Sequence, residues 1–322
     1  MLPGIRRTLI AGLGAVTLLT ACGASGGPPG AQAPQRPPAA QVALEEQAGP
    51  PAPNGRRYPR VPDQPGPLGQ QLGQVELALA GSELNADSLA SLAHRQQVLY
   101  RRWSLKPEWD TAVLAALPAQ LRVRAQRQVQ ARREFLAMHR SSPVADRLPA
   151  WRILTPLPAE RLQTAYRKAE RDTGIDWATL AAINLVETGM GRLQGLSVAG
   201  ARGPMQFLPS TWAESGIGRG SIDNPEDAIA AAGRYLQRRG GRQNLAQAIW
   251  GYNNSWHYVR AVQTYADLMR HDPRAFRAFH AWQIHYASPS GDLWLPEGTE
   301  HLQPVPVTDH LRQAPWSAPP AR

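Results

Sequence analysis

One carboxylate, Glu187, closes an apolar run, Ala178-Thr-Leu-Ala-Ala-Ile-Asn-Leu-Val-Glu-Thr-Gly-Met-Gly191, that stops at glycines. An acid so placed is either an ordinary solvated helix end or, where water is kept out, a proton donor with a raised pKa. Downstream stand Gly203-Pro-Met-Gln-Phe-Leu-Pro-Ser-Thr-Trp212 and Ala248-Ile-Trp-Gly-Tyr-Asn-Asn254. The first offers a thioether, Met205, an amide, Gln206, and the aromatic Trp212; the second offers the phenol of Tyr252 and the amide of Asn253. Neither brings a second acid, so proton transfer among these groups has one carboxylate to work with. Asp172 and Asp176 are rival acids, better read as helix punctuation. His257 stands alone and is a poor metal ligand.

Those groups need helices to hold them. Asp176 is an N-cap and Gly189 a C-cap, so the run between them is a core helix with Glu187 in its last turn. Leu162, Ala165, Tyr166 and Ala169 fall on one face of a preceding helix stopped by Gly174. Asn224-Pro225-Glu226-Asp227 opens another helix, with arginines near its end before Gly240-Gly241. Short helical stretches follow at 244–250 and 255–270, the latter with Tyr258, Val262, Tyr265 and Met269 at helical spacing. Residues 195–203 form a Gly/Ala/Ser loop able to bring backbone close to a ligand. Trp282-Gln-Ile-His-Tyr286 and Leu293-Trp-Leu295 can pair as a small C-terminal β-hairpin. Trp212, Trp250 and Trp256 could stack on a ring-shaped ligand, although core packing is the commoner use of tryptophan.

Upstream, helical periodicity runs over about 70–139, ending in an amphipathic helix with Arg122, Arg124, Arg127, Arg132 and Arg133. Such a helix can lie on an anionic surface, but a solvated outer face accounts for it more simply. Residues 22–69 are dominated by Pro, Gly, Ala and Gln and predict a disordered tether. The tail from 299 predicts disorder for the same reason. At the start, Arg6 and Arg7 precede a short apolar stretch and Leu19-Thr20-Ala21-Cys22, a signal-peptide pattern too short to span a bilayer. Cys22 is the sole cysteine, so no internal disulfide can form. The formal net charge of +10 suits nucleic acid, anionic lipid or an anionic wall polymer, and export disfavours nucleic acid. A solubilising surface explains the same charge.

Glu187-Thr-Gly-Met-Gly191, the 203–212 motif and Tyr252-Asn253, in that order, resemble the lytic transglycosylase domain related to goose-type lysozyme. The likeness covers about 154–269. It implies a mainly α, lysozyme-like catalytic domain, with 70–153 as a helical extension, 154–298 as the catalytic domain with its C-terminal extension, and 299–322 as the tail. It implies cleavage of the β-1,4 bond between N-acetylmuramic acid and N-acetylglucosamine in peptidoglycan without water, leaving a 1,6-anhydro end. Glu187 would be acid and then base, while Thr188, Met205, Gln206, Tyr252, Asn253 and Trp212 would bind substrate. Tyr252 and Asn253 would bracket Glu187, the phenol orienting the carboxyl or an acetamido group.

Thr188 stands where a serine is commonest in that family. The stretch between Trp212 and Asn224 is too short for an acidic loop, so no metal and no cofactor are inferred. Cys22 resembles a bacterial lipobox cysteine, which implies cleavage after residue 21, lipid on its sulfur and attachment to a membrane at the cell envelope. A hydrolytic muramidase and a noncatalytic wall-binding lipoprotein remain as alternatives. No protein partner is legible.

Overall fold

The computed structural model describes residues 49–81, 84–139 and 144–320. Helix makes up 57% of the described residues, and their strands are few and short, so the molecule is mainly α. Among the described residues four helices come first: α1 (Pro65–Leu79), α2 (Ala86–Ser104), α3 (Asp110–Ala116) and α4 (Ala119–Met138). Next come β1 (Arg147–Leu148), β2 (Arg152–Ile153), α5 (Ala159–Thr173), α6 (Trp177–Thr188), β3 (Leu193–Gln194), α7 (Pro209–Trp212), α8 (Pro225–Arg238), α9 (Leu245–Asn253), α10 (Trp256–His271) and α11 (Pro273–His280). Strands β4 (Ile284–Ser288), β5 (Gly291–Leu295) and β6 (Val305–Pro306), then α12 (Val307–Gln313), complete it.

Local chemistry sets the ends of the central helix α6. Asp176 accepts the amide of Thr179 at 3.1 Å, and Gly189 closes the helix in the left-handed region at φ 62°. Every residue of α6 is buried, which is why its sequence is apolar on all faces rather than striped. It packs on α10, and α10 packs on α4, whose Ala131 and Phe135 join the same core as Val186 and Tyr265. Ala93 of α2 joins that core too, whereas Leu68, Leu72, Leu99, Trp103 and Val113 of α1, α2 and α3 form a second apolar cluster of their own. Asn224 caps α8 by accepting from Glu226 and Asp227, as Asn-Pro-Glu-Asp predicts.

The expected hairpin is present as β4–β5, with Tyr286 opposite Leu293. Two shorter antiparallel pairs, β1–β6 and β2–β3, form where no strand is expected from the sequence. Three other expectations need correction. Within the predicted tether, residues 49–69 are ordered: Ala52 and Tyr58 are buried with Val98 and Trp294, and α1 begins at Pro65 with Leu68 fully buried. Composition averages over a segment, whereas one aromatic with a slot between distant residues is enough to anchor it. The predicted disordered tail, 299–320, carries β6 and α12 and buries Val307, His310 and Ser317.

The arginines of α4 are only in part the solvated face expected: Arg122 and Arg127 are exposed, Arg127 pairing with Asp267 at the surface, while the half-buried Arg133 pairs with Asp110 and Arg124 with Asp272. They fasten α4 to its neighbours. The stretch expected to be a signal segment, Cys22 and the rest of 1–48 lie outside the described residues. Among the described residues, no helix is long and apolar enough to cross a membrane.

Candidate active site

Glu187 enters the core at the last turn of α6 and is only 1% exposed. The hydroxyl of Tyr258, from the first turn of α10, donates to Glu187 Oε1 at 2.7 Å. Ser255 begins α10 by accepting from the Tyr258 amide, so the cap fixes the residue whose phenol meets the carboxyl. The Tyr252 ring stacks on the Tyr258 ring at 6.4 Å and 6°. Tyr235 meets Tyr252 edge-on at 5.4 Å, and its hydroxyl donates to Gly251 O at 2.7 Å. Three tyrosines from three helices thus form a wall ending at Glu187.

The sequence reading has the Tyr252 phenol orient the carboxyl or an acetamido group; the phenol hydrogen-bonded to the Glu187 carboxyl is that of Tyr258. The Tyr252 hydroxyl instead donates to Met205 O at 2.8 Å and so holds the 203–207 turn. Thr188 is fully buried, and its hydroxyl bridges two segments. It donates to Pro204 O at 2.6 Å and accepts from Gly191 N at 2.9 Å. Asn184, one turn earlier, donates to the same Pro204 carbonyl at 2.7 Å and accepts from Tyr166 at 2.6 Å. The motif after Gly203 is therefore tied to the Glu187 helix through backbone oxygens.

Gln206 is nearly buried, sits at φ 48°, and donates from Nε2 to Gly203 O at 3.1 Å and Gly195 O at 3.3 Å. That fold-back needs Gly203: at φ +75° any Cβ there would lie 2.0 Å from Ile222 O. Met205 points into the core. Asn253, at the end of α9, is buried, and its Nδ2 has no hydrogen-bond partner among the described residues. Trp212 packs edge-on against Phe207 at 5.7 Å and stays partly exposed, whereas Trp256 is 49% exposed.

The rival acids are otherwise engaged. Asp176 caps α6 and pairs with Arg270, and Asp172 pairs with Lys168. Between residues 213 and 227, Glu214 pairs with Arg239, Asp223 with Arg202 and Glu226 with Arg161, while Asp227 accepts from Ser221 N. His257 Nδ1 lies 2.6 Å from Glu134. Among the described residues, no group of three or more His, Cys, Asp or Glu side chains is arranged to hold a metal ion.

With this geometry in place, comparison with known families is informative. Residues 164–268 match the family model described as the transglycosylase SLT domain. The match takes in α6, the 203–212 turn, the three tyrosines and most of α10. It supports a lytic transglycosylase-type domain in this segment, with activity of that family on peptidoglycan. No curated protein and no solved structure matches the chain.

Proposed function

We propose that the protein is a peptidoglycan lytic transglycosylase in which Glu187 is the acid and then the base. The observation that carries this reading is the buried Glu187 carboxyl with a phenol at 2.7 Å, the rival acids Asp176 and Asp172 being paired with Arg270 and Lys168. Burial disfavours a charged carboxylate, so the enclosed group suits proton donation. Glu187 gives its proton to the bridging oxygen as the bond from C1 of N-acetylmuramic acid breaks, and the N-acetylglucosamine unit leaves with a free hydroxyl. The muramoyl N-acetyl group supports the cationic carbon. Glu187 then takes the proton of the C6 hydroxyl as O6 bonds to C1, which restores the acid and consumes no water.

Asn253 Nδ2, without a partner among the described residues, is read as a donor to an acetamido oxygen, and Gln206 and Trp212 as further sugar contacts. Thr188 and Met205 contribute by shaping the turn that carries Gln206. For Thr188→Val and Glu187→Gln, circular dichroism separates loss of fold from loss of chemistry. Digestion of purified wall with wild type and Glu187→Gln, read by mass spectrometry, is the test. Wild type is expected to yield 1,6-anhydro ends, and Glu187→Gln to lose about 10²- to 10⁴-fold in rate. Reducing ends alone would move the assignment to a hydrolytic muramidase, and undiminished activity in the variant would remove Glu187 from the mechanism.

Lipid on Cys22 would hold the enzyme at a membrane of the cell envelope. Labelling of wild type but not of Cys22→Ser by a radioactive fatty acid is the expected outcome.

A further inference from the structure

Between α1 and α2, on the side where 58–63 crosses the hairpin turn, lies a cavity of about 550 Å³. This volume falls in the range of sites for small molecules. Its wall is largely apolar, with Val98 from α2, Leu105 at its C-cap and proline pairs from both ends of the described chain. Two polar side chains set into it are nearly buried, Gln71 at 9% exposure and Arg101 at 5%. Asp292 takes Nε and Nη2 of Arg101, but Arg101 Nη1 and Gln71 Oε1 have no hydrogen-bond partner among the described residues. A buried donor and a buried acceptor left unmet are costly, and the two side chains that carry them both line this cavity. Arg60 and Arg102 add positive charge against Asp63.

We propose that this cavity binds the C-terminal end of a short peptide with small apolar side chains. A terminal residue carries both complements at once, a carboxylate for the arginines and an N–H for Gln71 Oε1, while its side chain lies against Val98 and Leu105. A phosphate dianion suits the cavity less well because Asp63 and Asp292 also line it, and an acyl chain brings no N–H for Gln71. The site is independent of the reaction at Glu187, so either assignment can fail alone.

The test is calorimetric titration of the whole chain with N-acetyl-D-Ala-D-Ala, with N-acetyl-L-Ala-L-Ala, and with the C-terminal amide of each. One acid form is expected to saturate at submillimolar concentration, and its amide to bind at least about tenfold more weakly, since a charge-assisted bond is lost. A preference for the D form names wall peptides as the source, and for the L form names protein-derived peptides. Gln71→Leu is expected to weaken binding about tenfold. Leu105→Trp, at a position 58% exposed, fills the mouth without disturbing the core and is expected to abolish binding, with wall digestion unchanged in both variants. Failure of both acids to saturate, equal binding of acid and amide, or full binding by Leu105→Trp would overturn the proposal.

Discussion

Tyr258 is the residue whose role is least visible before folding. In sequence it is one of four apolar positions at helical spacing, and the Tyr-Asn pair six residues earlier draws attention away from it. Only the packing of α10 on α6 turns its hydroxyl onto Glu187. Glu187, Gln206 and Tyr252 were legible because short segments of the chain carry them; the partner of Glu187 was not, because a tertiary contact across 71 positions creates it. Tyr258→Phe keeps the ring and removes the donor. Once Glu187 has given up its proton, a hydrogen bond to the carboxylate left behind contributes about 1.5–3 kcal/mol. The variant is therefore expected to keep its fold and to lose about 10- to 100-fold in kcat on purified wall, with KM little changed. Loss of activity in Tyr252→Phe without effect in Tyr258→Phe would reverse the two assignments.

Among the elements, α6 and the 203–207 turn act as one unit because Thr188 and Asn184 converge on Pro204 O. The departure from serine at Thr188 is tolerated because the tie needs only the hydroxyl. Thr188→Ser is expected to retain stability and activity, whereas Thr188→Val leaves Gly191 N without its acceptor and is expected to cost about 1–3 kcal/mol by denaturant unfolding. Equal stability of the two variants would mean that the hydroxyl does not hold the turn. Helix limits were legible wherever a cap marked them, as at Asp176, Asn224 and Ser255. The role of α4 was not: its arginines read as a basic surface because their partners Asp110, Asp267 and Asp272 come from other elements.

Across the whole molecule, buried titratable groups pull stability in opposite directions with pH. Burial, with Arg101 nearby, draws the His285 imidazole down to about 3, and burial beside His285 holds His94 well below its usual range. Both are neutral in the fold, their Nε2 atoms 3.1 Å apart. Their contribution is present above the unfolded value of about 6.5 and is lost as pH falls below it. Glu76 behaves oppositely. Burial raises it from 4.5 to about 7, so its contribution is full below about 4.5 and lost as pH rises towards 7. Two histidines outweigh one glutamate, so the melting temperature is expected to fall between pH 7 and pH 5. Glu76→Gln can keep an acceptor for Tyr100 while removing the opposing group, and is expected to make that fall steeper by calorimetry. A slope unchanged from wild type would show that Glu76 is ionised in the fold.

The ends of the described chain meet on the hairpin. Tyr58 donates to Asp292 O across 234 positions, and a Cβ at Gly49 would lie 3.5 Å from Pro320. During synthesis the segment around Tyr58 leaves the ribosome long before the strand that receives it has been made. Its slot between Val98 and Trp294 is incomplete until then, and closing so long a loop is entropically slow. Seating of this segment is therefore a late event in biosynthesis, set by the arrival of the hairpin rather than by anything near Glu187.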